Sequence, residues 1–105
     1  MFINLKEDNL FELLGKYNKS LVMFGANWCD NCKRLKPIFY KKSFEQSEIP
    51  FIYVDCDEFT NSRNLGSIKR IPKLVGYNGY MIVSEKEGSS EETLNEVYNQ
   101  LNLNK

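Results

Sequence analysis

Apolar positions along this chain follow two patterns that alternate from one end to the other. Residues 2–5, 21–24 and 51–54 form short apolar runs, each of which predicts a strand. The run 21–24 shows no alternation, as expected of a strand covered on both faces of a sheet. Between and after these runs, apolar residues recur at spacings of three and four, which predicts helices with one buried face. The predicted inner faces are Leu10, Leu13, Leu14 and Tyr17, then Leu35, Ile38 and Phe39, and finally Leu94, Val97, Tyr98 and Leu101.

Boundary residues refine these helices. The second helix should begin near Cys32, end at about Ser47 and be kinked by Pro37, which lacks an N–H and crowds the preceding turn. The polar stretch 55–69 should hold one short helix with Leu65 and Ile68 pointing inward. A capping box, Ser89 with Glu92, is expected to open the last helix.

A hairpin is predicted in the second half of the chain. Pro72 opens the apolar stretch 73–77, Asn78-Gly79 is a strong two-residue turn signal, and residues 80–83 return. The predicted order is β-α-β-α-β-α-β-β-α. Strands separated by helices should pair in parallel, with the hairpin adding an antiparallel edge. The pattern therefore predicts one α/β domain over residues 1–105, with a central sheet flanked by helices.

Composition narrows the classes of protein that fit this fold. Fourteen basic and fourteen acidic residues cancel, so no overall charge draws the chain to nucleic acid or to an anionic membrane. No apolar run approaches the roughly 20 residues that span a bilayer, and residues 1–6 do not resemble a signal peptide. Three cysteines are few and odd in number, which argues against a secreted disulfide scaffold. We expect a monomer in the cytoplasm.

Candidate chemistry lies where the second strand meets the second helix. Cys29 and Cys32 stand three positions apart at that junction, close enough to form a disulfide. The helix N-terminus should place unpaired N–H groups and the positive end of the helix dipole at Cys29, which favours its thiolate. The pair therefore indicates a redox dithiol.

A zinc site and a structural disulfide are the two other interpretations of the cysteine pair. Zinc needs four N or S ligands, or three and a water, but this chain has no histidine and only Cys56 besides the pair. A purely structural disulfide closing so short a loop would remove little chain entropy. Neither alternative accounts for the pair as well as redox chemistry does.

The chain resembles the thioredoxin family over nearly its whole length. The family's W-C-G-P-C-K motif corresponds to residues 28–33, and its helix-kinking proline follows the second cysteine by five positions, as Pro37 does. The other matching features are the Ile71-Pro72 pair that opens the fourth strand, the Asn78-Gly79 hairpin and Gly88 before the last helix. The resemblance implies the thioredoxin fold, a central mixed sheet flanked by helices, with Pro72 in cis.

The resemblance also implies a mechanism. Cys29 would attack a client disulfide, and Cys32, shielded beneath it, would resolve the mixed disulfide. Trp28, Ile71, Pro72 and Gly88 would form an apolar rim for the client chain. The implied partners are disulfide-containing proteins and an electron donor of the thioredoxin-reductase type. No bound cofactor is expected beyond the redox-active Cys29–Cys32 disulfide.

Three departures from the family bear on this mechanism. Asp30-Asn31 replaces Gly-Pro, and Gly25 stands where the family usually has a second tryptophan; both bear on redox potential and substrate range. Asp30 opposes the Cys29 thiolate, whereas Lys33 favours it. Met23 stands in place of a buried carboxylate that relays a proton in the family. A thioether has no proton to exchange, so Met23 cannot do so.

Several functions share these features. The favoured one is a protein-disulfide reductase; a dedicated electron donor, oxidant or isomerase for one client uses the same chemistry. A binding module with incidental redox chemistry is the alternative from another class. A glutaredoxin assignment is weaker, because no glutathione-binding residues can be placed. Cys56, just past the third strand, is interpreted as a buried, inert thiol, with a regulatory thiol as the alternative.

Overall fold

A computed structural model describes residues 1–104, and nine helices and strands follow one another in the predicted order. The strands are β1 (Phe2–Asn4), β2 (Lys19–Gly25), β3 (Phe51–Asp55), β4 (Lys73–Asn78) and β5 (Met81–Glu87). The helices are α1 (Leu10–Lys16), α2 (Asp30–Glu45), α3 (Thr60–Asn64) and α4 (Glu91–Leu103). The α/β class is therefore confirmed.

The five strands form one mixed sheet in the order β1-β3-β2-β4-β5. β3 lies parallel to both β1 and β2, as predicted for strands joined through helices. β4, however, lies antiparallel to β2, and β5 antiparallel to β4. The expectation that every helical connection makes a parallel pair is thus wrong for the step from β3 to β4.

The positions of the two ends of that connection explain the reversal. Asp55 ends β3 beside Gly25, and Lys73 begins β4 beside Phe24, so the chain leaves and re-enters the sheet at one edge. A parallel crossover must run back along the length of the sheet. The short helix α3 does not make that return, and β4 therefore runs in the opposite direction. Residues 56–72 lie at the same edge as the start of α2.

Two hydrophobic clusters cover the two faces of the sheet, and β2 contributes to both. Leu21 and Met23 belong to the cluster under α2 and α4, while Val22 and Phe24 belong to the cluster under α1 and the β3–β4 connection. All four side chains are fully buried. The unbroken apolar run of β2 follows from this arrangement, because neither face of the strand meets solvent.

Some helix boundaries differ from the prediction. α2 begins at Asp30, ahead of Cys32, and continues through Pro37 to Glu45; the kink at that proline stays a prediction. α3 ends before Leu65 and Ile68, which pack inward from the loop that follows it. Both residues point inward as expected, but they lie after the helix and not within it.

The last helix is capped by a different residue from the one predicted. The cap of α4 is Ser90, whose hydroxyl accepts the Thr93 N–H at 3.1 Å. The predicted capping box of Ser89 and Glu92 is therefore wrong by one position. Ser89 and Ser90 are adjacent, and serine at either position could be the N-cap, so sequence spacing alone could not decide between them.

The hairpin is present, with its turn displaced by one residue. Asn78 pairs with Met81, which leaves Gly79 and Tyr80 as the two loop residues. Gly79 has a φ of 60° at the first loop position, where a II′ turn requires glycine. A register shift between Gly76 and Tyr77 accompanies the turn.

Candidate active site

The two cysteines of the pair meet at the first turn of α2. Cys29 is the N-cap residue, and its Sγ accepts the Cys32 N–H at 3.2 Å. Its carbonyl oxygen accepts the Lys33 N–H at 3.1 Å, so the helix hydrogen bonds begin at this residue. The Cys29 sulfur therefore lies at the N-terminus of α2, where backbone N–H groups have no partner within the helix.

Cys29 is less exposed than its position ahead of the helix predicts. Its exposed fraction is 7%, against 2% for Cys32, so neither thiol stands free in solvent. The Cys29 Sγ–H donates to the carbonyl oxygen of Ile71, just before β4, at 3.9 Å. It nevertheless lines a cavity of about 370 Å³ that also includes Trp28 and Ile71. A client sulfur would therefore approach Cys29 through this cavity.

The second thiol is held in its protonated form. Burial, and then the hydrogen bond with Cys29, raise the pKa of the Cys32 thiol to about 12. All three cysteines of the chain carry free thiols in this structure. At neutral pH Cys32 is therefore a thiol that must lose its proton before it can attack.

The start of β4 and the approach to α4 lie together beside the dithiol. The Ile71–Pro72 peptide bond is cis, and the Pro72 carbonyl accepts the Gly88 N–H at 3.2 Å. Gly88 has a φ of 145°, and a Cβ there would lie 2.8 Å from Thr93 Oγ1, so only glycine fits. The structure thus brings Ile71, Pro72 and Gly88 together as expected from the sequence.

Trp28 lies on the surface at the mouth of the cavity. Its side chain is 68% exposed, and its Nε1–H donates to the Asp57 carboxylate at 2.6 Å. Sequence reasoning did not identify Asp57, because nothing in its spacing from Trp28 signals the contact. Asp55 positions Asp57, because the Asp55 carboxylate accepts the backbone N–H groups of Asp57 and Glu58.

Removing the Asp57 carboxylate should release the indole. We expect Asp57→Ala to lower the fluorescence anisotropy of Trp28, the only tryptophan in the chain, because its hydrogen bond is lost. Both residues are at the surface, so the free energy of unfolding should change by less than about 1 kcal/mol. Asp57→Asn is the matched control, because it keeps an oxygen acceptor. Equal anisotropy in the alanine variant and the parent would contradict the prediction.

Tyr53 lies on the buried side of the dithiol, and no motif in the sequence marks it for this position. A Cβ placed on Gly25 would lie 3.1 Å from the Tyr53 hydroxyl oxygen and 3.2 Å from Cys32 Sγ. The hydroxyl and the thiol therefore share the space that Gly25 leaves open. Burial raises the pKa of Tyr53, so the hydroxyl stays a hydrogen-bond donor. Its place in the unbroken apolar run of β3 marks it only as a core residue.

Met23 lies within the core beneath this group. It is fully buried, belongs to the same cluster as Cys29 and Cys32, and pairs with Tyr53 across β2 and β3. Thioether and phenol thus occupy the sheet positions under the dithiol.

The residues between and after the cysteines face outward. Asp30 is the first residue of α2 and is exposed, as are Asn31 and Lys33. The Asn31 Oδ1 accepts from Arg34 Nη1 at 3.3 Å. Their places at the helix start fit the modulating roles predicted for them, which stay predictions.

Cys56 is buried at the end of β3. It is 3% exposed, its N–H donates to the Gly25 carbonyl at 2.9 Å, and its side chain lines the same cavity as Cys29. Burial raises the pKa of the Cys56 thiol to about 11, which outweighs the opposing effect of Arg63. The thiol is therefore protonated and slow to react at neutral pH.

Cys56→Ser should accordingly retain disulfide-reducing activity under reducing conditions. We expect a loss of stability of about 1–3 kcal/mol, because serine adds a buried hydroxyl that needs a partner. Chemical denaturation and a turnover assay check the two parts, with Cys56→Ala as the apolar control. A loss of activity on oxidation that Cys56→Ser prevents would favour the regulatory alternative instead.

Neither a metal-binding cluster nor a membrane-spanning helix is found in residues 1–104. Among residues 1–104, no three His, Cys, Asp or Glu side chains are grouped so as to hold a metal ion. None of the helices in this part of the chain has the length and apolar character needed to cross a membrane.

Comparisons with known proteins converge on one family. A family model described as Thioredoxin matches residues 1–100. Thioredoxin-3 of Dictyostelium discoideum is 34% identical over 86 residues, covering 79% of this chain and 83% of that protein. The thioredoxin of Ovis aries is 32% identical over 92 residues, covering 86% and 88%. The crystal structure of Chlamydomonas reinhardtii thioredoxin f2 matches with a TM-score of 0.83 at 25% identity, covering 100% of both chains.

Proposed function

The chain belongs to the thioredoxin family, and we propose that Cys29 is its attacking thiol and Cys32 its resolving thiol. Membership makes the chain a thiol–disulfide oxidoreductase, and specifically a protein-disulfide reductase. One observation supports the assignment of roles above all others. Cys29 Sγ accepts an N–H at the start of α2 and lines the cavity, whereas Cys32 lies beneath it with a raised pKa.

The reaction proceeds by two exchanges. The Cys29 thiolate attacks one sulfur of the client disulfide; that S–S bond breaks, and the departing client sulfur takes up a proton. Cys32, after losing its own proton, attacks the Cys29 sulfur and releases the second client thiol. Two electrons pass to the client, and the Cys29–Cys32 disulfide remains. No other bound cofactor is required for this exchange.

The residues around the dithiol supply a binding rim. Trp28, Ile71, Pro72 and Gly88 lie at the mouth of the cavity or beside it, and the exposed indole offers the client an apolar surface. The client chain lies along Ile71 as an added strand, so that backbone hydrogen bonds supply affinity without regard to sequence.

The partners follow from the same chemistry. Thioredoxins act on disulfide-containing substrates and receive electrons from thioredoxin reductase. A reductase of that type recharges the Cys29–Cys32 disulfide of this chain, which works as a monomer in electron transport. The cytoplasm is the compartment proposed, since a cysteine count of three is low and odd, which suits a reducing environment.

Turnover of a generic protein disulfide tests this proposal. The chain should catalyse reduction of insulin with dithiothreitol as the electron source, followed by the turbidity of the released B chain. Cys29→Ser should bring the rate down to that of dithiothreitol alone. A rate that Cys29→Ser leaves unchanged would remove Cys29 from the mechanism.

A further inference from the structure

The cavity beside Cys29 is unevenly charged. Three basic side chains line it, namely Arg63, Lys69 and Arg70, against a single acidic one, Asp57. The Asp57 carboxylate is already engaged by the Trp28 indole N–H. The chain as a whole has a formal net charge of zero, so this excess of positive charge is local.

The basic residues are available to a partner. All three are exposed, and neither ion pair among residues 1–104, Lys73–Glu85 and Lys86–Glu96, involves them. A second cavity of about 500 Å³ adjoins the first and shares Arg63, Ile68 and Lys69 in its lining. The two cavities together form a basic groove that leads away from Cys29 along the β3–β4 connection.

We propose that this basic groove selects client disulfides flanked by acidic residues. The inference rests on the proposed function, because the groove acts only on a client whose disulfide reaches Cys29. An extended client chain seated beside Ile71 would carry its neighbouring side chains past Arg70 and Lys69 towards Arg63. Carboxylates there meet unpaired cations, whereas lysine side chains meet like charge. The apolar side chains of Trp28 and Ile68 also line the cavity, and they should contact client chains of any sequence.

Matched peptides test the proposal. Three disulfide-looped peptides carry Glu, Gln or Lys on both sides of the cysteine pair and are otherwise identical. The reduced protein is mixed with each, and released peptide thiol is followed by chromatography. We expect the Glu peptide to react about threefold faster than the Gln peptide, and the Lys peptide about threefold slower, as exposed ion pairs allow. Raising the ionic strength to about 0.5 M should compress this spread.

Variants then locate the effect. Lys69→Gln combined with Arg70→Gln should bring the three rates together, and Arg70→Glu should reverse part of the order. Lys16→Gln is the matched control, because Lys16 lies away from the basic groove. It ends α1 next to Gly15, which approaches Tyr80 in the hairpin turn. That turn is at the opposite end of β4 from Lys73, where the groove side of the sheet lies. The control variant should keep the full spread.

The outcomes separate the two levels of the proposal. Equal rates for the three peptides with the parent protein, or a spread that survives the double variant, would overturn the selection of acidic clients alone. A parent protein that reduces none of the peptides and no insulin would instead overturn the proposed function.

Discussion

Changing Cys32 to serine is expected to trap the protein in a covalent complex with its client through Cys29. The Cys29 sulfur lines the cavity and accepts the N–H of residue 32, so the first exchange should still proceed. The second exchange cannot, because serine offers no thiol. Changing Cys29 to serine should trap nothing, since the buried Cys32 thiol, with a pKa of about 12, is mostly protonated at neutral pH.

Non-reducing electrophoresis and mass spectrometry distinguish these results. Both variants are best made with Cys56 also changed to alanine, because Cys56 lines the same cavity and could otherwise supply the trapped bond. A client trapped through Cys32 would reverse the assigned roles.

The raised pKa of Cys32 bears on the pH dependence of the second exchange. Burial, the largest cause of that raised pKa, persists in the mixed disulfide, although the contribution of the Cys29 thiol does not. The thiolate fraction of Cys32 should grow about tenfold for each pH unit below this raised pKa. Resolution of the mixed disulfide in the parent protein should therefore accelerate steadily from pH 7 upwards. Stopped-flow measurement of client release gives this rate, and a plateau near neutral pH would show that another group takes the proton.

Met23→Asp is expected to weaken the fold and to speed resolution. The side chain is fully buried in the cluster that holds Cys29 and Cys32, so a carboxyl there is desolvated and its pKa should rise. A rise of about three units would destabilise the ionised protein by about 4 kcal/mol. A carboxylate can also take the Cys32 proton, and such assistance is worth roughly 10²–10⁴-fold.

The sign of the pH effect is specific to this change. A carboxyl whose pKa is raised on folding keeps its proton better in the folded state, so stability falls as pH rises above the unfolded value of about 3.9. The loss should therefore be smallest near pH 3, where only the burial of a polar group remains, and largest above neutrality, as measured by thermal unfolding. Met23→Asn separates burial of a polar group from ionisation, and Met23→Leu tests packing alone. A stability loss that does not change with pH would place residue 23 away from the buried dithiol.

Much of this fold could be predicted because its signals are local. The two-sided burial of β2 is visible in the run of residues 21–24, and the helix faces repeat at the expected spacing. The direction of β4 could not be predicted in the same way. It depends on where residues 56–72 leave and re-enter the sheet, and their polar, irregular sequence carries no periodic signal for that path.

In the active site, too, only the features with a local sequence signal could be predicted. Cys29 and Cys32 are recognisable from their spacing and from the strand–helix junction around them. Asp57, Tyr53 and the basic groove come from separate parts of the chain and meet only in the folded structure. The burial of Cys29 likewise carries no local signal, because its partner, the Ile71 carbonyl, comes from the far end of the β3–β4 connection.

The connection that leaves and re-enters the sheet at one edge has an evolutionary consequence. It carries the exposed charges Arg63, Lys69 and Arg70, while its inward anchors are the separate residues Phe59, Leu65 and Ile68. Mutations can therefore change the charges without disturbing either hydrophobic cluster or the dithiol. Duplicated copies of such a gene could diverge in client preference through this one segment while inheriting the same chemistry. The segment is also the natural one to exchange between relatives when a reductase is to be redirected to a new client.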